Sequence, residues 1–86
     1  MKHALKGNYN SREVWLDGKL LDPEPSQAIR NHSPDGFAWG YGGSGCAQLA
    51  LAIMLELTGK AEGYQEFKWK TIAGIPQTDF EIEFEL

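Results

Sequence analysis

The sequence predicts one small α+β domain spanning residues 1–86, in which a small antiparallel sheet, made of an N-terminal hairpin and a C-terminal strand, packs on a central buried helix and a second helix. Three stretches predict it. Val14-Trp15-Leu16-Asp17-Gly18-Lys19-Leu20-Leu21 sets apolar runs on either side of Asp-Gly, the dipeptide suited to the positive φ angles of a type I′ turn. Leu49 to Leu55 is a nearly continuous apolar run entered from the glycine-rich Gly40-Tyr41-Gly42-Gly43-Ser44-Gly45. Phe80-Glu81-Ile82-Glu83-Phe84-Glu85-Leu86 alternates without a fault, as a strand with one wet face does.

In chain order, the polar start is expected to fray, His3 with it. The hairpin then places Trp15 across from Leu20 and Val14 across from Leu21. Asp22-Pro23-Glu24-Pro25-Ser26 stops the sheet because proline brings no amide hydrogen to a ladder. Gln27 to His32 reads as an extended connection held by Ala28 and Ile29, and Ser33-Pro34-Asp35-Gly36 as a tight turn. Phe37-Ala38-Trp39 is expected as a short strand or extended stretch. The main helix is expected over about Cys46 to Thr58, with Ser44 or Gly45 as cap, Gln48 reaching back in a capping-box manner, and Gly59 as the left-handed stop. It is apolar nearly all round, which places it in the core. From Ala61 to Pro76 the strand and helix periods compete. Early glutamates, later lysines, the Glu66 and Lys70 spacing and the Gly74 and Pro76 stop favour a second helix that leaves Trp69 partly exposed or in contact with the C-terminal segment.

Composition narrows the function. Eight Lys and Arg against twelve Asp and Glu give a net charge of −4, the wrong sign for holding a nucleic-acid backbone. The plain purpose of such a charge is solubility; the alternative is an acidic docking face, for which Glu81, Glu83 and Glu85 on the last strand are the candidates. The same glutamates discourage pairing of that strand with a copy of itself. The apolar run is too short to span a membrane. A single cysteine and the absence of a leader-like apolar run at the start point to the cytoplasm.

No complete catalytic motif is present. Gly40 to Gly45 formally matches G-x-G-x-x-G, but a dinucleotide fold needs a parallel strand after the helix, and Cys46 and Ala47 stand where a Walker loop needs Lys and Ser or Thr. What remains is bare amides at a positive helix end, suited to a phosphate or carboxylate, against the plainer reading that the glycines let the loop pack. Trp39 and Tyr41 flank the loop as a wall for a base or a partner's side chain. Cys46 is the sole nucleophile of interest, and no spacing sets His3 or His32 beside it. Asn31-His32-Ser33-Pro34-Asp35 is too compact to form a triad; side-chain bonds to the turn backbone are expected instead. No metal or cofactor is implied.

The string His32-Ser33-Pro34-x-Gly36-Phe37-x-Trp39-Gly40-Tyr41-Gly42-Gly43-Ser44-Gly45-x-Ala47-Gln48-Leu49-Ala50-Leu51-Ala52, followed by Tyr64-Gln65-x-Phe67-Lys68-Trp69 and Ile72-Ala73, closely resembles domain of unknown function 6166. The resemblance runs from the first hairpin to Ile75, and it implies small proteins of bacteria, archaea, phages and plasmids with no activity, cofactor or catalytic residue attached. Members often carry proline at the position of Cys46, which would make Gly45 the cap and argues against a required thiol. Many have a longer, helical-looking C-terminus than Phe80 to Leu86. The expectation is a non-enzymatic interaction protein of a phage, plasmid or similar element that binds and modulates or inhibits a host protein, for example a defence protein. Its alternative is a nucleotide- or anion-binding domain taking a small phosphate-bearing ligand. The candidate binding residues are His32, Trp39, Tyr41, Gly42, Gly43, Ser44 and Gly45.

Overall fold

A computed structural model describes all 86 residues. Four antiparallel strands lie in the order β3-β2-β1-β4: β1 is Lys2–Gly7, β2 Val14–Leu16, β3 Lys19–Leu20 and β4 Phe80–Glu85. The helices are α1 Glu24–Ile29, α2 Ser44–Thr58 and α3 Tyr64–Phe67, the last running into a π turn at Lys68–Ile72. The α+β class and the hairpin stand as expected. Asp17 and Gly18 take φ angles of 53° and 82°, Trp15 faces Leu20, and the Leu21 amide donates to the Val14 carbonyl.

The sheet differs from expectation at its centre. The supposedly frayed start is β1, with β2 on one side and β4 on the other: Leu5 lies between Leu16 and Ile82, Gly7 between Val14 and Phe80. Leu5 is fully buried. The alternation is hidden because the core-facing positions of β1 are His3, Leu5 and Gly7, only one of them a large aliphatic. His3 is tied down too, its Nδ1 hydrogen-bonded to Asp17 Oδ2 at 2.8 Å. Phe37 to Trp39 joins no strand; it runs as an extended buried segment.

The stretch expected as an extended connection begins inside α1. Pro23 precedes the helix and Pro25 falls in its first turn, where the missing amide hydrogen costs nothing. The expected anchors face outward, Ala28 and Ile29 both being exposed, and the buried residue is Ser26, whose hydroxyl donates to the Pro23 carbonyl. At α2 the start is two residues earlier than expected. Gly43 is the cap and no side chain caps the end, while Gly59 closes the helix at φ 74°. Every residue from Gly45 to Met54 is buried, because the sheet, α1, the Phe37–Trp39 segment and α3 surround the helix.

Gln48 does not reach back to a cap. Its amide is wholly buried: Oε1 accepts from the His32 and Ser33 amides at 2.8 and 3.0 Å, and Nε2 donates to Ser26 Oγ and the Arg30 carbonyl. This one side chain ties α1 and the Ser33–Gly36 turn to α2. After α3 the backbone widens into the π turn, so that Phe67, Lys68 and Ile72 face the core while Trp69 and Lys70 face out. Glu66 and Lys70 form no ion pair. No helix is long and apolar enough to cross a membrane.

Candidate functional site

The glycine loop owes its composition to close approach. Gly40 has φ 87°, and a Cβ there would stand 2.7 Å from the Ile75 carbonyl oxygen. At Gly45 it would stand 2.7 Å from Ala38 Cβ. On Gly42 it would overlap the Trp69 indole, and on Gly43 the Tyr41 ring. Two large aromatic rings thus pack against bare backbone at the entrance to α2, and both remain in water: Trp69 is 63% and Tyr41 47% exposed.

Trp39 is not part of this face. It is fully buried, edge-on to Phe80 at 4.8 Å, its indole N–H donating to the Thr78 carbonyl. The wall expected from Trp39 and Tyr41 is therefore not formed: the chain direction at Gly40 sends Trp39 inward, and the exposed rings on the loop are Tyr41 against Gly43 and Trp69 against Gly42. The sequence identified Trp69 as partly exposed but offered no signal for its contact with Gly42, which depends on the π turn.

His32 is partly buried and packs beside Tyr64. His32 Nε2 and the Tyr64 hydroxyl are hydrogen-bonded at 2.8 Å, and the same hydroxyl accepts from Gln65 Nε2. Burial depresses the proton affinity of His32 below its ordinary value, and the positive charges of Arg30 and Lys68 depress it further. These contacts replace the local turn bonds expected for the Asn31–Asp35 cluster. Lys68 is the second residue that sequence reasoning missed. It is only 8% exposed, its ammonium makes neither ion pair nor hydrogen bond, and it stands 4.4 Å from the centroid of the Trp69 indole.

At the start of α2 the amides of Ser44, Gly45 and Cys46 find no acceptor in the protein, and the first turn holds no Asp or Glu. Five clefts open on the surface, the largest about 510 Å³ between Arg12, Asp22 and Asp35, and none is lined by a residue from Ala38 to Leu51. The Cys46 thiol is buried and hydrogen-bonds to neither histidine, His3 being bonded to Asp17 and His32 to Tyr64. No three His, Cys, Asp or Glu side chains converge as metal ligands would.

Glu81, Glu83 and Glu85 share the open face of the sheet with the cations of β1. Lys2 Nζ is 3.9 Å from Glu83, the chain's amino group 3.5 Å from Glu85, and Lys6 stands opposite Glu81. The acidic strand is thus electrically balanced by its neighbour.

A family model described as "Family of unknown function (DUF6166)" matches residues 5–85, nearly the whole chain. The chain belongs to this family. No curated protein and no solved structure matches it. The family match therefore adds no reaction or ligand to the geometry. It does cover the three parts that build the aromatic face: the glycine loop, the start of α2 and the π turn.

Proposed function

We propose that the chain is a non-enzymatic binding domain for a protein partner, docking through the exposed face of Tyr41 and Trp69. In the setting that the family resemblance implies, a phage or plasmid carried by a host cell, the partner is a host protein that the chain modulates or inhibits. The observation that carries the reading is the two exposed rings packed against Gly42 and Gly43. Half-exposed aromatic side chains already packed on backbone lose little side-chain entropy on binding and offer large apolar area, the make-up of interface hot spots. The π turn that presents Trp69 supports the reading, since such turns recur at functional sites. The balanced charge of the open sheet face makes the glutamate strand the weaker docking candidate.

The test is capture of a partner from host lysate by the intact chain, compared with Tyr41→Ala, Trp69→Ala and a triple Glu→Lys variant at 81, 83 and 85, each first verified as folded. The reading expects a stoichiometric partner that each aromatic truncation weakens about 30-fold, a hot-spot loss of about 2 kcal/mol, and that the charge reversals largely spare. A partner indifferent to both truncations, or no stoichiometric partner, defeats it.

A further inference from the structure

We propose that the free edge of β4 takes up an extended segment of another protein as a fifth, antiparallel strand, and that this segment alternates Lys or Arg with apolar residues. The site is the edge of the sheet, not its charge-balanced open face. It uses neither Tyr41 nor Trp69, so the proposal and its test stand apart from the docking reading.

The ladder fixes which backbone groups are free. Met1 and Leu86 exchange amide and carbonyl bonds, and the register pairs His3 with Phe84, Leu5 with Ile82 and Gly7 with Phe80. Bonded and non-bonded pairs alternate along an antiparallel ladder, so the N–H and C=O groups of Glu81, Glu83 and Glu85 point away from β1. Nothing outside that ladder bonds them, and all three residues are exposed. The opposite edge, β3, is only Lys19–Leu20 and soon meets Pro23, whereas β4 runs from Phe80 to Glu85 without proline or glycine. Such an edge is a template for another strand.

Charge and shape select the strand. A copy of β4 laid antiparallel would set glutamate beside glutamate, so a second copy is disfavoured. Lysine or arginine opposite Glu81, Glu83 and Glu85 would instead meet carboxylates whose cations, Lys6, Lys2 and the amino terminus, all lie on the β1 side. The chain's net charge of −4 acts in the same direction. Residues of the added strand opposite Ile82 and Phe84 would turn toward the helices. There a cleft of about 430 Å³ is lined by Phe84 and Leu86 of β4 and by Met54, Phe67, Lys70 and Thr71. No β1 residue lines it, which places it on the free side of β4. Ile82, packed on the core yet only half-buried, continues this apolar surface along the edge. Water already satisfies the free edge groups, so the new backbone bonds fix register and direction while the cleft supplies the apolar area.

The probe is a capped heptapeptide of alternating lysine and valine, N-methylated at its valines so that it cannot pair with itself, while the lysine amides that would face β4 stay free. Its titration into the full chain is followed by amide NMR and hydrogen exchange. Saturable shifts centred on Glu81, Glu83 and Glu85 are expected, with exchange of those three amides slowed about tenfold or more at saturation. The same peptide methylated at its lysines instead, equal in charge and composition, should not bind, and neither should a glutamate-for-lysine peptide. Glu83→Lys should weaken binding about tenfold by turning attraction into repulsion. Glu83→Pro, which removes one outward N–H where an edge strand tolerates proline, should weaken it about fivefold. The two methylated peptides are decisive on the wild-type chain even if a variant fails to fold. No shift at millimolar valine-methylated peptide, equal binding of the lysine-methylated form, or shifts away from β4 overturn the proposal. Dimerisation through β4 without peptide also overturns it, since the occupant is then a second copy.

Discussion

A glutamine side chain offers two donor hydrogens and an acceptor oxygen with two lone pairs, and Gln48 uses all of them between α1, the following turn and α2. Replacing it with leucine leaves the Ser33 amide without its acceptor and the His32 amide with only the Arg30 carbonyl, in a partly buried place, and takes the donor from Ser26 Oγ and the Arg30 carbonyl. Gln48→Leu should cost about 3 kcal/mol and lower the melting temperature by at least about 12 °C, measurable by calorimetry. The sequence revealed the helix around Gln48 but not its role, because two of its four partners, Arg30 and His32, come from residues that read as an extended connection, and the other two from a sheet stop and a turn. His32 gives a pH prediction. Its proton affinity is depressed in the fold, first by burial and then by Arg30 and Lys68, so near its ordinary value of 6.5 the unfolded chain binds the proton and the folded chain resists it. The stabilisation is complete above that value and is lost as pH falls below it. Denaturation at a series of pH values should show this slope, and His32→Gln should flatten it.

Among the elements, the hairpin, α2 and β4 were legible because each carries its own pattern: Asp-Gly between apolar runs, an apolar surface closed by Gly59, and strict alternation. β1 was not legible. Lys2, Ala4 and Lys6 face water, and His3, Leu5 and Gly7 face the core, so its strand character resides in its two neighbours rather than in its own residues. Gly7 is required there because a Cβ would overlap the Phe80 ring. Leu5→Ala, at the centre of the sheet, should destabilise the fold by about 3 kcal/mol by denaturant titration. A chain starting at Asn8 should lose its dispersed NMR spectrum, since β4 would have no strand to pair with. α1 escaped notice because Pro23 and Pro25 read as sheet breakers, and in the first turn of a helix proline is no breaker. The turn residue Asp17 accepts from the Ala4 amide, and this bond, with the His3 ring, holds its carboxyl below the ordinary value of 3.8. Its contribution is present above that value and lost as pH falls through the depressed one, so Asp17→Asn should keep the turn yet remove that part of the acid limb.

For the molecule as a whole, the sheet has helices on one face and an open, charge-balanced face on the other. Reversing Glu81, Glu83 and Glu85 to lysine sets like charges beside Lys2, Lys6 and the amino terminus. Such a variant should lose a few tenths of a kcal/mol per cross-strand pair, recovered in high salt, when melts are compared across ionic strengths. The aromatic face was only half legible. The glycines marked a place of close approach, but which rings approach is decided by the backbone at Gly40, which turns Trp39 in, and by the π turn, which turns Trp69 out. That turn is equivalent to one extra residue accommodated within an α-helix. A chain one residue shorter between Phe67 and Ile72 would close it as ordinary helix and carry the later side chains round by about 100°, so that Ile72 could not stay in the core while Trp69 kept its place on Gly42. Loss or gain of a single codon in this segment is thus enough to redraw the surface, and family members that differ in length here should differ in what they bind.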